Sequence, residues 1–152
     1  MFRSPKMFFR VLAFAEAVSW TLLIGGMILR ATNGLDIAVS IGGGIHGFVF
    51  LAYAATAVIV AKNQRWSAGP TSVAVISAVI PYATIPVDLW LKRSGRLEGP
   101  WRTALTEDPR DRSRHDRALR VLLNRPGLVG GVLSAGVVML FVVLLIIGPP
   151  GG

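Results

Sequence analysis

Cysteine is absent from the 152 residues, which excludes a disulfide framework, a thiolate nucleophile and a zinc-thiolate site. Histidine is nearly absent: His46 and His115 are the only two, they sit in different surroundings, and no acidic cluster joins them, so no metal-ligand pattern forms. Charge is scarce as well, at 16% of residues against about 25% in ordinary soluble domains. No nucleophile-base arrangement is recognisable, and Gly42-Gly43-Gly44 lacks the Lys-Ser/Thr pair that follows a phosphate-cradling loop. These absences point away from an enzyme and imply neither a cofactor nor a metal. An enzyme acting on lipid is the weakest of three functional readings.

What the chain has in abundance is apolar surface, 53% of residues with a mean hydropathy of +0.59. It is gathered into four stretches, roughly residues 8–29, 40–61, 69–91 and 126–148. Each approaches the ~20 residues that a helix rising ~1.5 Å per residue needs to cross a ~30 Å hydrocarbon layer. A soluble domain of this size has no core large enough to bury them. The prediction is an all-α, polytopic membrane helical bundle of four transmembrane helices with a short basic amphipathic interfacial helix. The basic start Met1–Arg10 followed by an apolar run imitates a secretory signal, but the run continues for about twenty residues with no small-x-small cleavage site. It reads as a retained first helix.

The third stretch is the least regular. Pro81 and Pro86 each remove a backbone donor and clash with the preceding turn, so a kinked helix packed inside the bundle is expected, with a re-entrant segment as the alternative. Residues 94–125 change character to a basic polar loop. Ten of the sixteen Lys and Arg lie between 92 and 125, among five acids. Arg114, Arg117 and Arg120 recur at three-residue spacing beside Ala118, Leu119, Val121 and Leu122. That pattern suits an amphipathic helix lying on anionic lipid headgroups, or a solvated loop with one helical turn. Nucleic acid is not an expected partner, because no aromatic-basic interleaving accompanies the charge.

Charge also bears on orientation. With four spans, a cytoplasmic basic loop places eleven Lys and Arg inside and five outside, while the N-terminal Arg3, Lys6 and Arg10 outweigh Arg30 in the opposite sense. The two signals agree only if the third stretch does not cross. The fourth span, 126–148, opens at Pro126 and carries Gly127, Gly131 and Ala135 four apart, and Gly43 and Gly47 repeat the spacing in the second. Small residues so placed let helix backbones approach, as a seam within the bundle, in a homo-oligomer or in a larger membrane complex.

Ionisable groups within apolar spans are costly and usually face protein or water, which singles out Glu16 and His46. Glu16 shares a helical face with Ser19, Trp20 and Leu23, and His46 shares one with Phe50 and Tyr53. Antiparallel neighbours would set the two at depths roughly 10 Å apart. They read either as a polar pocket or proton relay, or as a buried polar pair fixing helix register. Asp88, four residues before Lys92, is expected to form a small-valued ion pair with it.

Several of these residues carry a resemblance. Arg10-Val11-Leu12-Ala13-Phe14-Ala15-Glu16-Ala17, His46-Gly47, Tyr53, Arg65-Trp66-Ser67 and Ile80-Pro81-Tyr82-Ala83-Thr84 follow, in order and spacing, the pattern of the YdzA-like bacterial integral membrane family. That family is a domain of unknown function with three hydrophobic segments. The resemblance covers about residues 7–93, which it marks as a three-helix membrane domain, and it implies a multi-pass place in the bacterial plasma membrane. Glu16, His46 and Pro81 are the family-like positions. Tyr82-Ala83 departs from the family's more frequent Phe-Gly, and the 94–125 loop and the fourth helix lie outside it.

The leading functional expectation is a non-enzymatic membrane protein that packs against itself or a larger membrane complex. The alternative is a small-molecule or proton-linked carrier whose site is Glu16, His46 and Tyr53 beside the Pro81 break.

Overall fold

The computed structural model describes residues 4–147, and no strand occurs among them. Helix α1 (Pro5–Asn33) begins where the Ser4 side chain accepts from the Met7 amide at 3.2 Å, with Pro5 in the first position. Proline suits that place because its missing N–H is unneeded there. The helix ends at Gly34, whose φ of 68° is the left-handed conformation that closes a helix. Helix α2 (Asp36–Asn63) runs back antiparallel. At 29 and 28 residues, both helices are long and apolar enough to cross a membrane.

The pair is closest at two glycines. A Cβ added to Gly26 would lie 2.6 Å from the Ala38 carbonyl oxygen, and one added to Gly42 would lie 2.6 Å from that of Leu22. Gly43 and Gly47 do not form this seam. A Cβ added to Gly43 would meet only the end of the Leu23 side chain at 3.8 Å, and one added to Gly47, Gly127 or Gly131 would meet no neighbouring group within 4 Å.

The third apolar stretch is not one kinked span. Helix α3 (Ala68–Ile76) tightens into a 3-10 turn (Ser77–Val79) and stops, nine plus three residues, or about 18 Å. Ile80 is extended, with φ −106° and ψ 123°, because the following proline ring bars the residue before it from helical geometry. Tyr82, at φ 62°, then reverses the chain into α4 (Thr84–Arg93). Pro86 falls in the first turn of α4, where no donor is required. Pro81 therefore breaks the stretch, while Pro86 helps to start the returning arm.

That arm returns to the end it came from. Thr84 lies against Ala13, Asp88 against Arg10, and Glu98 against Lys6, so α4 descends α1 toward its N-terminus. The Trp66 indole donates to the Arg96 carbonyl at 2.8 Å, and the Asn63 amide donates to that of Pro100 at 3.2 Å. The start of α1, the end of α2 and both feet of the hairpin thus share one end of the molecule. Phe9, Ala13, Tyr53, Ala57, Val60, Ala74, Ala78, Leu91 and Leu97 form the buried core there. Beyond the hairpin tip, Met27, Ile28, Leu29, Leu35, Ile37 and Ile41 are exposed.

The basic segment folds onto this end as a cap. Arg65 bonds Asp108 and Asp111, and Arg102 bonds Asp111 at 3.0 Å and Asp116 at 2.9 Å while its Nε donates to the Asn63 carbonyl at 2.6 Å. Asp111, with 1% of its side chain exposed, also accepts from the Thr106 hydroxyl and amide at 2.6 and 3.0 Å. The Thr106 bonds, then Arg65, hold its carboxyl below the usual carboxylate range, and the same carboxylates push Arg65 up. Helix α5 (Arg114–Asn124) starts at Ser113, whose hydroxyl accepts from the Asp116 amide and donates to its carboxylate. It leads into α6 (Pro126–Ile147), which contacts α2. Gly148, the last residue of the expected fourth span, lies outside the described residues, as does Arg3.

Candidate functional site

The break at Ile80–Ala83 meets much of its own backbone, the Ala83 amide donating to the Ile80 carbonyl at 3.1 Å and the Ile85 amide to that of Tyr82 at 3.2 Å, and α1 and α2 add side-chain bonds around it. Trp20 Nε1 donates to the Ala78 carbonyl at 3.3 Å. The Ser77 hydroxyl donates to the Ala74 carbonyl at 2.7 Å and, its one hydrogen so used, accepts from the Tyr53 phenol at 3.2 Å. The phenol of Tyr82, at the tip, meets the Thr21 hydroxyl at 3.3 Å.

Glu16 faces this tip and is fully buried. Its Oε2 accepts from the Thr84 hydroxyl at 2.9 Å, and the same hydroxyl lies 3.0 Å from the Ala13 carbonyl. Its Oε1 has no partner among the described residues.

His46 and Glu16 do not meet side chain to side chain; Ser19 stands between them. The Ser19 hydroxyl donates to the Glu16 backbone carbonyl at 2.7 Å and lies 2.9 Å from His46 Nδ1. With its single hydrogen on the carbonyl, Ser19 accepts from an Nδ1-protonated ring. The imidazole packs against Trp20 with the ring centroids 4.3 Å apart and the planes tilted by 49°. The link between the two is thus a backbone group of Glu16, not its carboxyl.

One turn beyond Thr84, Asp88 is buried, and its Oδ2 bonds Arg10 Nε at 3.1 Å. Pairing with Lys92 is corrected accordingly: a carboxylate withdrawn from water takes the cation that α1 carries into the bundle, and Lys92 stays exposed. Asp88 Oδ1 is, like Glu16 Oε1, without a partner.

Of the residues singled out by sequence, the structure brings Glu16, His46 and Tyr53 around the hairpin that Pro81 turns, whereas Gly127, Gly131 and Ala135 lie exposed on α6. Ser19, Ser77 and Thr84 complete the arrangement and were not singled out. The signal for Ser77 and Thr84 was available as hydroxyls flanking a proline break in an apolar run, where freed backbone groups need local partners, and that for Ser19 as a hydroxyl on the Glu16 face. Among the described residues, no three His, Asp or Glu gather as a metal would require.

An all-helical chain with two membrane-length helices and a hairpin held to them by buried polar side chains defines a class but no reaction. Residues 7–93 match the family described as Domain of unknown function (DUF3817), and the chain belongs to it. It is also 36% identical over 103 residues to a Streptomyces coelicolor protein named "Putative membrane protein SCO5905". The aligned part is 66% of this chain but only 12% of that protein. No solved structure matches the chain.

Proposed function

We propose a non-enzymatic, multi-pass component of the bacterial plasma membrane that acts by helix packing, with a second copy of itself or within a larger membrane complex. In this reading α1, α2 and α6 cross the bilayer, α3 and α4 form a re-entrant hairpin, and α5 lies at the headgroups. Three crossings replace the expected four. Residues 7–93 are the membrane domain of YdzA-like type, 94–125 its basic cap, and 126–148 an added span. Pro126–Ile147 contains no charged residue, which supports its crossing.

One observation carries the reading: the buried and half-buried polar side chains bond one another across helices, Glu16 Oε2 with Thr84, Tyr53 with Ser77, His46 with Ser19 and Asp88 Oδ2 with Arg10. Three of these pairs fasten the hairpin and His46–Ser19 joins α1 to α2, while Gly127, Gly131 and Ala135 are exposed. Likeness to a minor part of a much longer relative is in keeping with a packing module. The basic end faces the cytoplasm, because the hairpin gathers the N-terminal, α2-terminal and loop cations on one side.

The partner-free oxygens Glu16 Oε1 and Asp88 Oδ1 beside a broken helix favour the second reading, a proton-linked or small-molecule carrier using Glu16, His46 and Tyr53. Crosslinking in native membranes, then purification in mild detergent with identification of co-purifying species, separates the two. The first expects a companion chain or a dimer that Gly131→Leu disrupts and Glu16→Gln spares. Only monomer would sink it, and a retained small molecule would favour the second.

A further inference from the structure

Helix α5 presents one face that the cap does not use. Arg114, Arg117, Ala118, Val121 and Leu122 recur at helical spacing and line an open groove of about 390 Å³. Its opposite side is committed inward: Leu119 is buried, Arg120 donates to the Asp111 carbonyl at 2.6 Å, and Asp116 is held by Arg102 and Ser113. Nearby acids are therefore already neutralised, Asp108 and Asp111 by Arg65 and Asp111 and Asp116 by Arg102. The Arg114 and Arg117 side chains form no ion pair among the described residues. The groove is also graded along its axis. Arg114 and Arg117 belong to the first four residues of α5, whereas Val121, 57% exposed, and Leu122 lie further along it toward Pro126 and the apolar α6.

We infer that this groove binds one anionic glycerophospholipid, its phosphate between Arg114 and Arg117 and the start of an acyl chain along Ala118, Val121 and Leu122. The inference rests on the reading that this end of the molecule meets a bilayer. Polarity decides the occupant. A lipid runs from anion to hydrocarbon in the direction in which the groove runs from guanidinium to aliphatic side chain and in which the chain itself enters the membrane. A free anion uses only the first half, and a zwitterionic lipid offsets the attraction with its own cation.

The test is native mass spectrometry of the full chain in mild detergent with equimolar phosphatidylglycerol and phosphatidylcholine of matched acyl chains. The wild type should retain phosphatidylglycerol over phosphatidylcholine by roughly ten-fold or more, the scale of two arginines at an anionic surface. Arg114→Gln with Arg117→Gln should bring that ratio toward one. Lys92→Gln with Arg93→Gln, which removes equal charge elsewhere, should leave it unchanged, and Val121→Ser should weaken both lipids alike. A wild-type ratio near one, an equal fall in the Lys92/Arg93 variant, or displacement of the lipid by inorganic phosphate would each overturn the proposal. Failure of the underlying membrane reading is seen separately, as release of the chain by alkaline carbonate before any lipid is added.

Discussion

Thr84 holds Glu16: the hydroxyl from the returning arm of the hairpin lies 2.9 Å from Glu16 Oε2, and it reaches the Ala13 carbonyl one turn away at 3.0 Å. The one hydroxyl hydrogen is shared between the two acceptors, which ties α4 to the backbone and the buried carboxyl of α1.

Replacing Thr84 with Val keeps the shape and removes the donor, stranding Glu16 Oε2 as well as Oε1. The expected loss is about 1–3 kcal/mol, the cost of leaving a buried polar group unmet, read as a lower unfolding midpoint in detergent. Glu16→Gln retains an acceptor for Thr84 and should cost much less. Equal losses for the two would mean that the hydrogen bond does not fasten the hairpin.

The glycine contacts make a paired prediction. Gly42→Ala drives a Cβ to 2.6 Å from the backbone of Leu22, where only separation of α1 and α2 relieves the overlap, at about 1–3 kcal/mol. Gly47→Ala meets nothing within 4 Å and should be neutral or gain about 0.5–1 kcal/mol, as Ala replaces Gly within a helix. Thermal unfolding of the two variants side by side checks both signs.

Because the chain lacks cysteine, single Cys residues report sidedness without a background. Ser67 and Ser94 are exposed at the two feet of the hairpin, and Asn33 is exposed at the far end of α1. Membrane-impermeant thiol reagents should label Ser67→Cys and Ser94→Cys from the same side and Asn33→Cys from the other. Labelling of Ser67→Cys and Ser94→Cys from opposite sides would restore a full crossing by the third stretch.

The cap should be acid-sensitive. Asp111 has its folded pKa depressed, first by Thr106 and then by Arg65. Its contribution is therefore complete above the ordinary aspartate value of about 3.9 and is lost as pH falls through the lower folded value. Hydrogen exchange of residues 102–124 should accelerate below about pH 4, and Asp111→Asn should produce the same acceleration at neutral pH.

Hydropathy made α1, α2 and α6 legible because a membrane-length helix advertises itself by run length alone. The hairpin was legible only in part. Pro81 announces where a donor is missing, but whether the chain bends or turns back depends on partners more than sixty residues away: Arg10 for Asp88, Glu16 for Thr84 and, slightly nearer, Trp20 for the Ala78 carbonyl. Asp88 shows the same limit of local reasoning. Four-residue spacing proposes Lys92, and burial selects Arg10. The charge pattern held a clue, since the N-terminal and loop cations conflict under four spans and agree once the third stretch returns. Spacing names Gly43 and Gly47, whereas the α1–α2 register puts Gly26 and Gly42 at the contact between those two helices.

At the end of the molecule away from the cap, Arg30 and Asp36 bond at 2.8 Å and cancel, so the formal excess of +8 resides almost wholly at the other. Across an energised membrane, each unit charge carried through 100 mV costs about 2.3 kcal/mol. In the proposed orientation, with the basic end on the interior-negative side, inversion would move many such charges outward, so the resting potential would act as a latch on one insertion sense.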